Sequence, residues 1–126
     1  MKKFVLFAIL SVMMFLSSYN DCKAKDIWVA HWASENVDIY VMDDTIINDS
    51  SNDSRCFKVS TKRVRDGKLL NVINWEFIKY ESDMWRYETS TMDGLHATVV
   101  IPRNAVFEFC MNQLGWSYRI QEYWYY

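Results

Sequence analysis

The side chains with an obvious capacity for chemistry are His31, His96, Cys56 and Cys110. The two histidines are the only ones in the chain. Both fall within strand-like patterns, and neither stands at the spacing of paired metal ligands. A cysteine nucleophile activated by a histidine base is chemically conceivable, but a disulfide between the cysteines would remove the thiolate that such a step requires. The chain has no Gly-rich phosphate loop, no HExxH and no G-x-S-x-G. The sequence therefore assembles no acid, base and nucleophile, and neither catalysis nor a cofactor is expected.

Three other groups could bind. Asp43, Asp44, Asn48, Asp49 and Asp53 form an oxygen-rich run of the kind calcium favours, but Ser54 stands where an EF-hand loop needs its glycine. A plain solvated loop is the expectation, with no metal. Lys58, Lys62, Arg63, Arg65 and Lys68 concentrate positive charge on one strand and turn. Period-two geometry puts Lys58 and Lys62 on one face and Arg63 and Arg65 on the other. They form a single acidic-ligand site only if the strand lies at a sheet edge, and charged edges also guard against aggregation, which is the favoured reading. Trp116, Tyr123 and Trp124, in an aromatic tail at 115–126, would suit a homodimer interface or the domain's own core, the core being preferred. Asn48-Asp49-Ser50 and Asn52-Asp53-Ser54 fit the glycosylation sequon by coincidence in a chain with a bacterial-type leader.

That leader is Lys2 and Lys3 followed by the apolar run Phe4 to Leu16, thirteen residues broken only by Ser11. It is shorter than the roughly 20 residues that span a bilayer and has the shape of a signal peptide, with cleavage after Ala24. A lipid-modified Cys22 would want small residues before it, where Tyr19, Asn20 and Asp21 stand. Removing Lys2, Lys3, Lys23 and Asp21 leaves 11 basic and 15 acidic residues, a net charge near −4. Such a domain has no field to attract nucleic acid. The expectation is an exported protein, secreted, periplasmic or on the cell surface, with no transmembrane segment after cleavage.

Residues 25–126 are enough for one domain with a small core. Two remaining cysteines in an exported chain point to a Cys56–Cys110 disulfide, which would supply about 4 kcal/mol. Short aromatic and β-branched runs separated by turn residues predict strands at 27–32, 37–42, 56–65, 69–80, 84–91 and 95–101. Ala33–Asn36, Asp66-Gly67 and Asp93-Gly94 mark turns. Tight hairpins join only antiparallel neighbours. After Pro102 the apolar spacing becomes helical, with Val106, Cys110 and Leu114 on one stripe and Gly115 as the C-cap. The fold class is α+β, mostly β: an antiparallel meander of about six strands with one C-terminal helix, about 103–114, packed on the sheet. Strict alternation sets Cys56 with Lys58, opposite Phe57 and Val59. A bridge to the helix therefore needs the strand to begin after Cys56, a bulge to turn it, or the helix to cover a different face, the first being favoured.

The order of pieces adds a likeness. Trp28-Val29, then Tyr40-Val41 with Asp43 and Ile46, Val59 with Lys62, Trp85 with Tyr87, and Ile101-Pro102 leading to Cys110 together resemble the small exported bacterial proteins of the surface-adhesin protein E type. The resemblance spans roughly residues 27–112. It implies an antiparallel sheet carrying a C-terminal helix tethered by a disulfide, a tendency to dimerise, and in some relatives contact with host extracellular proteins. The aromatic tail departs from that pattern. The leading expectation is an exported, non-enzymatic binding protein, adhesin-like at the bacterial surface. The alternatives are a periplasmic envelope-maintenance domain with bacterial partners only, and a small hydrolase or inhibitor with an unconventional site.

Overall fold

The computed structural model describes residues 25–92 and 98–126. The leader with Cys22, and the Asp93-Gly94 turn with His96, lie outside them. Six strands form one sheet in sequence order: β1 (Asp26–Trp32), β2 (Val37–Asn48), β3 (Ser54–Arg65), β4 (Lys68–Tyr80), β5 (Arg86–Thr89) and β6 (Thr98–Val99). Every neighbouring pair is antiparallel, so the sheet is the expected meander. At the β3–β4 turn Asp66 and Gly67 take φ of 50° and 76°, the left-handed pair that a two-residue hairpin needs to match strand twist.

The topology corrects one expectation. β3 is hydrogen-bonded to β2 on one side and β4 on the other, so its basic residues do not guard an edge. The edges are β1 and β6.

Alternation along the strands sorts the two faces as expected. Val37, Ile39 and Val41 of β2, Phe57, Val59 and Thr61 of β3, and Ile73, Trp75 and Phe77 of β4 are buried on one face. The helix α1 (Ala105–Leu114) joins that core through Val106, Phe107, Cys110 and Met111. Its N-cap is Asn104, whose Oδ1 accepts from the Phe107 N–H at 3.0 Å and so satisfies an orphan donor of the first turn. Pro102 precedes the cap instead of sitting inside the first turn. Gly115 closes the other end with φ 71°, its N–H reaching the carbonyls of Met111 and Asn112. A Cβ there would touch nothing within 4 Å, so only backbone strain opposes a side chain. Gly115→Ala is expected to cost about 1 kcal/mol in denaturant unfolding.

The tail is part of the domain. β7 (Ile120–Gln121) and β8 (Trp124–Tyr125) form a hairpin whose turn residues Glu122 and Tyr123 have φ of 53° and 77°. This hairpin delivers Tyr125 to full burial, with its ring 4.4 Å from that of Phe107. The Tyr125 hydroxyl accepts from the Asn104 N–H at 2.8 Å and donates to Glu108 Oε2 at 2.5 Å. Tyr118 donates to Glu108 Oε1 at 3.0 Å. One carboxylate thus ties the helix to two phenols.

Burial first, and then the Glu108 carboxylate, hold the Tyr125 phenol well above its usual range, and the same causes raise Tyr118. A raised phenol binds its proton more tightly folded than unfolded. The associated stability is therefore complete below the ordinary phenol pKa, about 10, and is lost as pH climbs through the folded value. Alkaline titration should show late tyrosinate absorbance from these phenols, appearing together with loss of the fold. Tyr125→Phe should weaken that coupling.

The cysteines do not meet. Cys110 is fully buried in the core beneath the helix, while Cys56 lies on the opposite side of the sheet, and both are free thiols. β3 begins at Ser54, ahead of Cys56, and Cys56 pairs in register with Ile78. The alternation that buries Phe57 therefore turns the Cys56 side chain away from the helix. Aromatic packing and the tail hairpin pin α1 where a disulfide was expected.

Candidate functional site

The helix-free face of the sheet holds a concave surface. An open groove of about 640 Å³ runs across β2–β5. Its floor consists of cross-strand rows. Lys58 stands opposite Glu76, and Glu76 opposite Glu88. Next to that row, Ser60 Oγ donates to Asn74 Oδ1 at 2.6 Å, and the Asn74 N–H reaches Ser90 Oγ at 3.1 Å. Directly paired side chains on neighbouring antiparallel strands sit about 5 Å apart, so each row is fixed by register.

One wall exists because β2 is irregular. Pairing with β3 shifts between Met42 and Ile47. Thr45 plugs the gap, its hydroxyl donating to the Met42 carbonyl at 2.6 Å and accepting from the Ser60 N–H at 2.8 Å. The extra residues bend the strand, as bulges do, and lift Asp44 and Ile47 into the groove lining.

The loop at 49–53 folds back beside the groove, onto the backbone of Cys56. The Asp49 N–H donates to the Cys56 carbonyl at 2.8 Å, and Ser50 Oγ accepts from the Cys56 N–H at 3.1 Å. This fold-back covers Cys56, leaving it 3% exposed beside its buried cross-strand partner Ile78. Cys56 Sγ lies 3.5 Å from Glu76 Oε1. Burial first, then the negative charge of Glu76, push the Cys56 thiol up to about 12, and burial alone does the same for Cys110. Lys58 Nζ lies 3.3 Å from Asp49 Oδ2, an ion pair that raises the lysine further above its ordinary value.

The remaining sequence-flagged residues fall as follows. Lys62 pairs with Asp26 at 2.6 Å, Arg63 with Glu35 and with Asn71 Oδ1 at 3.2 Å, and Arg65 donates to the Glu35 carbonyl at 2.7 Å. Lys68 is exposed beside the β3–β4 turn. Lys62, Arg63 and Arg65 are thus engaged with partners from β1, the β1–β2 turn and β4, and the basic residues do not gather into an acidic-ligand site. The oxygen-rich run also disperses: Asp43 caps the Lys25 N–H at 2.8 Å, Asn48 caps Ser50 at 3.0 Å, Asp44 lines the groove and Asp49 pairs with Lys58. Trp116 packs inward, 6.0 Å from Phe57 and 6.4 Å from Trp85, with the Arg55 guanidinium 5.1 Å above it. Tyr123 is 83% exposed at the hairpin turn and Trp124 half-buried beside it.

The groove residues that sequence reading missed are Glu76, Glu88, Asn74 and Ser90. Their mutual opposition depends on the register of β3, β4 and β5, which spacing along the chain does not report. Among the described residues no helix is long and apolar enough to cross a membrane. No protein-family model, curated protein or solved structure matches the chain.

Proposed function

We propose that this chain is an exported, non-enzymatic binding protein, adhesin-like at the bacterial surface, and that it binds through the helix-free face of its sheet. The single observation that carries the reading is that face itself. One side of the sheet is sealed by α1 and the tail, whereas the other presents an open groove of about 640 Å³ on a floor of register-fixed polar side chains. Exposed Trp28 lies on the same sheet, its indole N–H held by Asp38 at 3.0 Å. Rigid aromatic and polar groups on strands make a preorganised contact surface.

The chemistry of the nucleophiles agrees. With both thiols pushed up to about 12, neither cysteine is a thiolate at neutral pH. His31 is engaged with Asp38 at 3.0 Å, not with a nucleophile. Export and the adhesin-like part rest on the leader pattern and on the short motifs that resemble the protein E type.

Labelling intact cells with a membrane-impermeant reagent tests the address. Labelling without permeabilisation is the expected result, and labelling only after it would assign the chain to envelope maintenance. Attachment of cells to immobilised extracellular-matrix protein tests the surface. Glu88→Lys with Trp28→Ala should reduce attachment while leaving the circular dichroism spectrum unchanged. Undiminished attachment by that folded variant would remove the face from consideration.

A further inference from the structure

Beside the groove, three side chains from three segments converge. Asp49 comes from the β2–β3 loop, Cys56 from β3 and Glu76 from β4, and one ligating atom from each lies within 4.8 Å of the others. We propose that these three residues form a binding site for a thiophilic divalent cation of the Zn²⁺ type. The inference concerns different chemistry from the binding role above and does not depend on it.

The donor set selects the metal. One sulfur and two carboxylate oxygens suit Zn²⁺, which takes Cys, Asp and Glu in four-coordinate sites; Ca²⁺ and Mg²⁺ take oxygen ligands. Zn–S near 2.3 Å and Zn–O near 2.1 Å at a tetrahedral angle put sulfur and oxygen about 3.5 Å apart. Cys56 Sγ and Glu76 Oε1 are 3.5 Å apart. The hairpin register of β3 and β4 therefore already provides one edge of the tetrahedron. Asp49, on the exposed loop, completes a three-residue set, and a four-coordinate ion would take its remaining ligand from solvent.

A separate observation marks the same point as a seat for positive charge. The Lys58 ammonium lies 3.3 Å from Asp49 Oδ2, so a cation already rests against one member of the set. Lys58 is half exposed on a flexible stem, so its head can swing into water when a stronger cation arrives. The exchange replaces one positive charge with two beside two carboxylates. Cys56 then binds as thiolate: the S–H bond breaks, an S–metal bond forms, and the proton passes to solvent with no change in oxidation state.

The chain carrying Cys22→Ser, whose only thiols are Cys56 and Cys110, allows the test with Zn²⁺ and Co²⁺ as probes. Equilibrium dialysis should find one Zn²⁺ per chain, and Co²⁺ should give a thiolate-to-cobalt charge-transfer band. Cys56→Ser should abolish that band, whereas Cys110→Ser should leave it. Asp49→Asn and Glu76→Gln should each weaken Zn²⁺ binding by at least about tenfold, since even groups that only orient a ligand are worth that much. Lys58→Met, which removes the competing ammonium, should tighten it. Circular dichroism on every variant establishes that it is folded. Absence of saturable uptake up to millimolar Zn²⁺, or a charge-transfer band that survives Cys56→Ser, would overturn the site.

Discussion

Deleting residues 116–126 abolishes cooperative folding: the truncated chain should show no thermal transition and no near-ultraviolet aromatic signal. The deletion removes Tyr125, fully buried against Phe107, and the ring of Trp116 from its place between Phe57 and Trp85. It also strips the Tyr118 and Tyr125 hydroxyls from Glu108 and takes the acceptor from the Asn104 N–H. Loss of one large buried ring costs about 3–5 kcal/mol, and a domain of this size has only about 5–15 kcal/mol in total. Tyr125→Ala separates the ring from the rest of the tail and should by itself cost about 3–5 kcal/mol. Tyr125→Phe keeps the ring and should cost about 1–3 kcal/mol, because Glu108 and the Asn104 N–H lose a buried partner. A folded, stable truncation would return the tail to the role of an interface.

The second large effect concerns thiol reactivity. Native protein treated with an alkylating agent at neutral pH should react at Cys56 and Cys110 at least about a thousandfold more slowly than denatured protein. The thiolate is the reactive species. A pKa of about 12, set against an ordinary thiol near 8.5, lowers its population by about three orders of magnitude before access is considered. Denaturation without reductant should then release both thiols at the rate of a free peptide. A Cys56–Cys110 crosslink recovered by mass spectrometry from folded protein would contradict the placement of these residues on opposite sides of the sheet. Cys56→Ser and Cys110→Ser should differ in stability. Serine at 110 buries a hydroxyl among aromatic rings, whereas serine at 56 keeps a carboxylate within reach.

Much of the fold is legible in local chemistry. Alternation in 57–61 reports the buried face of β3 correctly because a strand half covered by a core has no other way to satisfy period two. Asp66-Gly67 and Gly115 mark their turns because few other residues accept positive φ cheaply. The cysteine pairing was less legible because compartment and parity arguments ignore direction. The informative signal was already in the alternation, which grouped Cys56 with Lys58 and against Phe57. The cluster beside the groove was not legible at all from spacing. Cys56 and Glu76 are twenty residues apart and meet only through the β3–β4 register. Asp49 reaches them only because the Asn-, Asp- and Ser-rich loop folds back onto the Cys56 backbone. The basic strand misled for a related reason. Its charges find partners on β1, at the β1–β2 turn and in the β2–β3 loop, which become neighbours only once the meander has formed.

The contrast between the two faces of β3 also governs how the chain finds its alignment. Sliding β3 by one residue against β2 and β4 would carry Lys58 and Lys62 into the layer of rings and expose Phe57 and Val59 to water. It would also separate Lys58 from Glu76 and Lys62 from Asp26. Both faces thus reject the same misalignment, one by dehydrating ammonium groups and the other by wetting aromatics. A central hairpin guarded in this way should commit early to a single pairing, leaving few slipped intermediates for the outer strands to build upon.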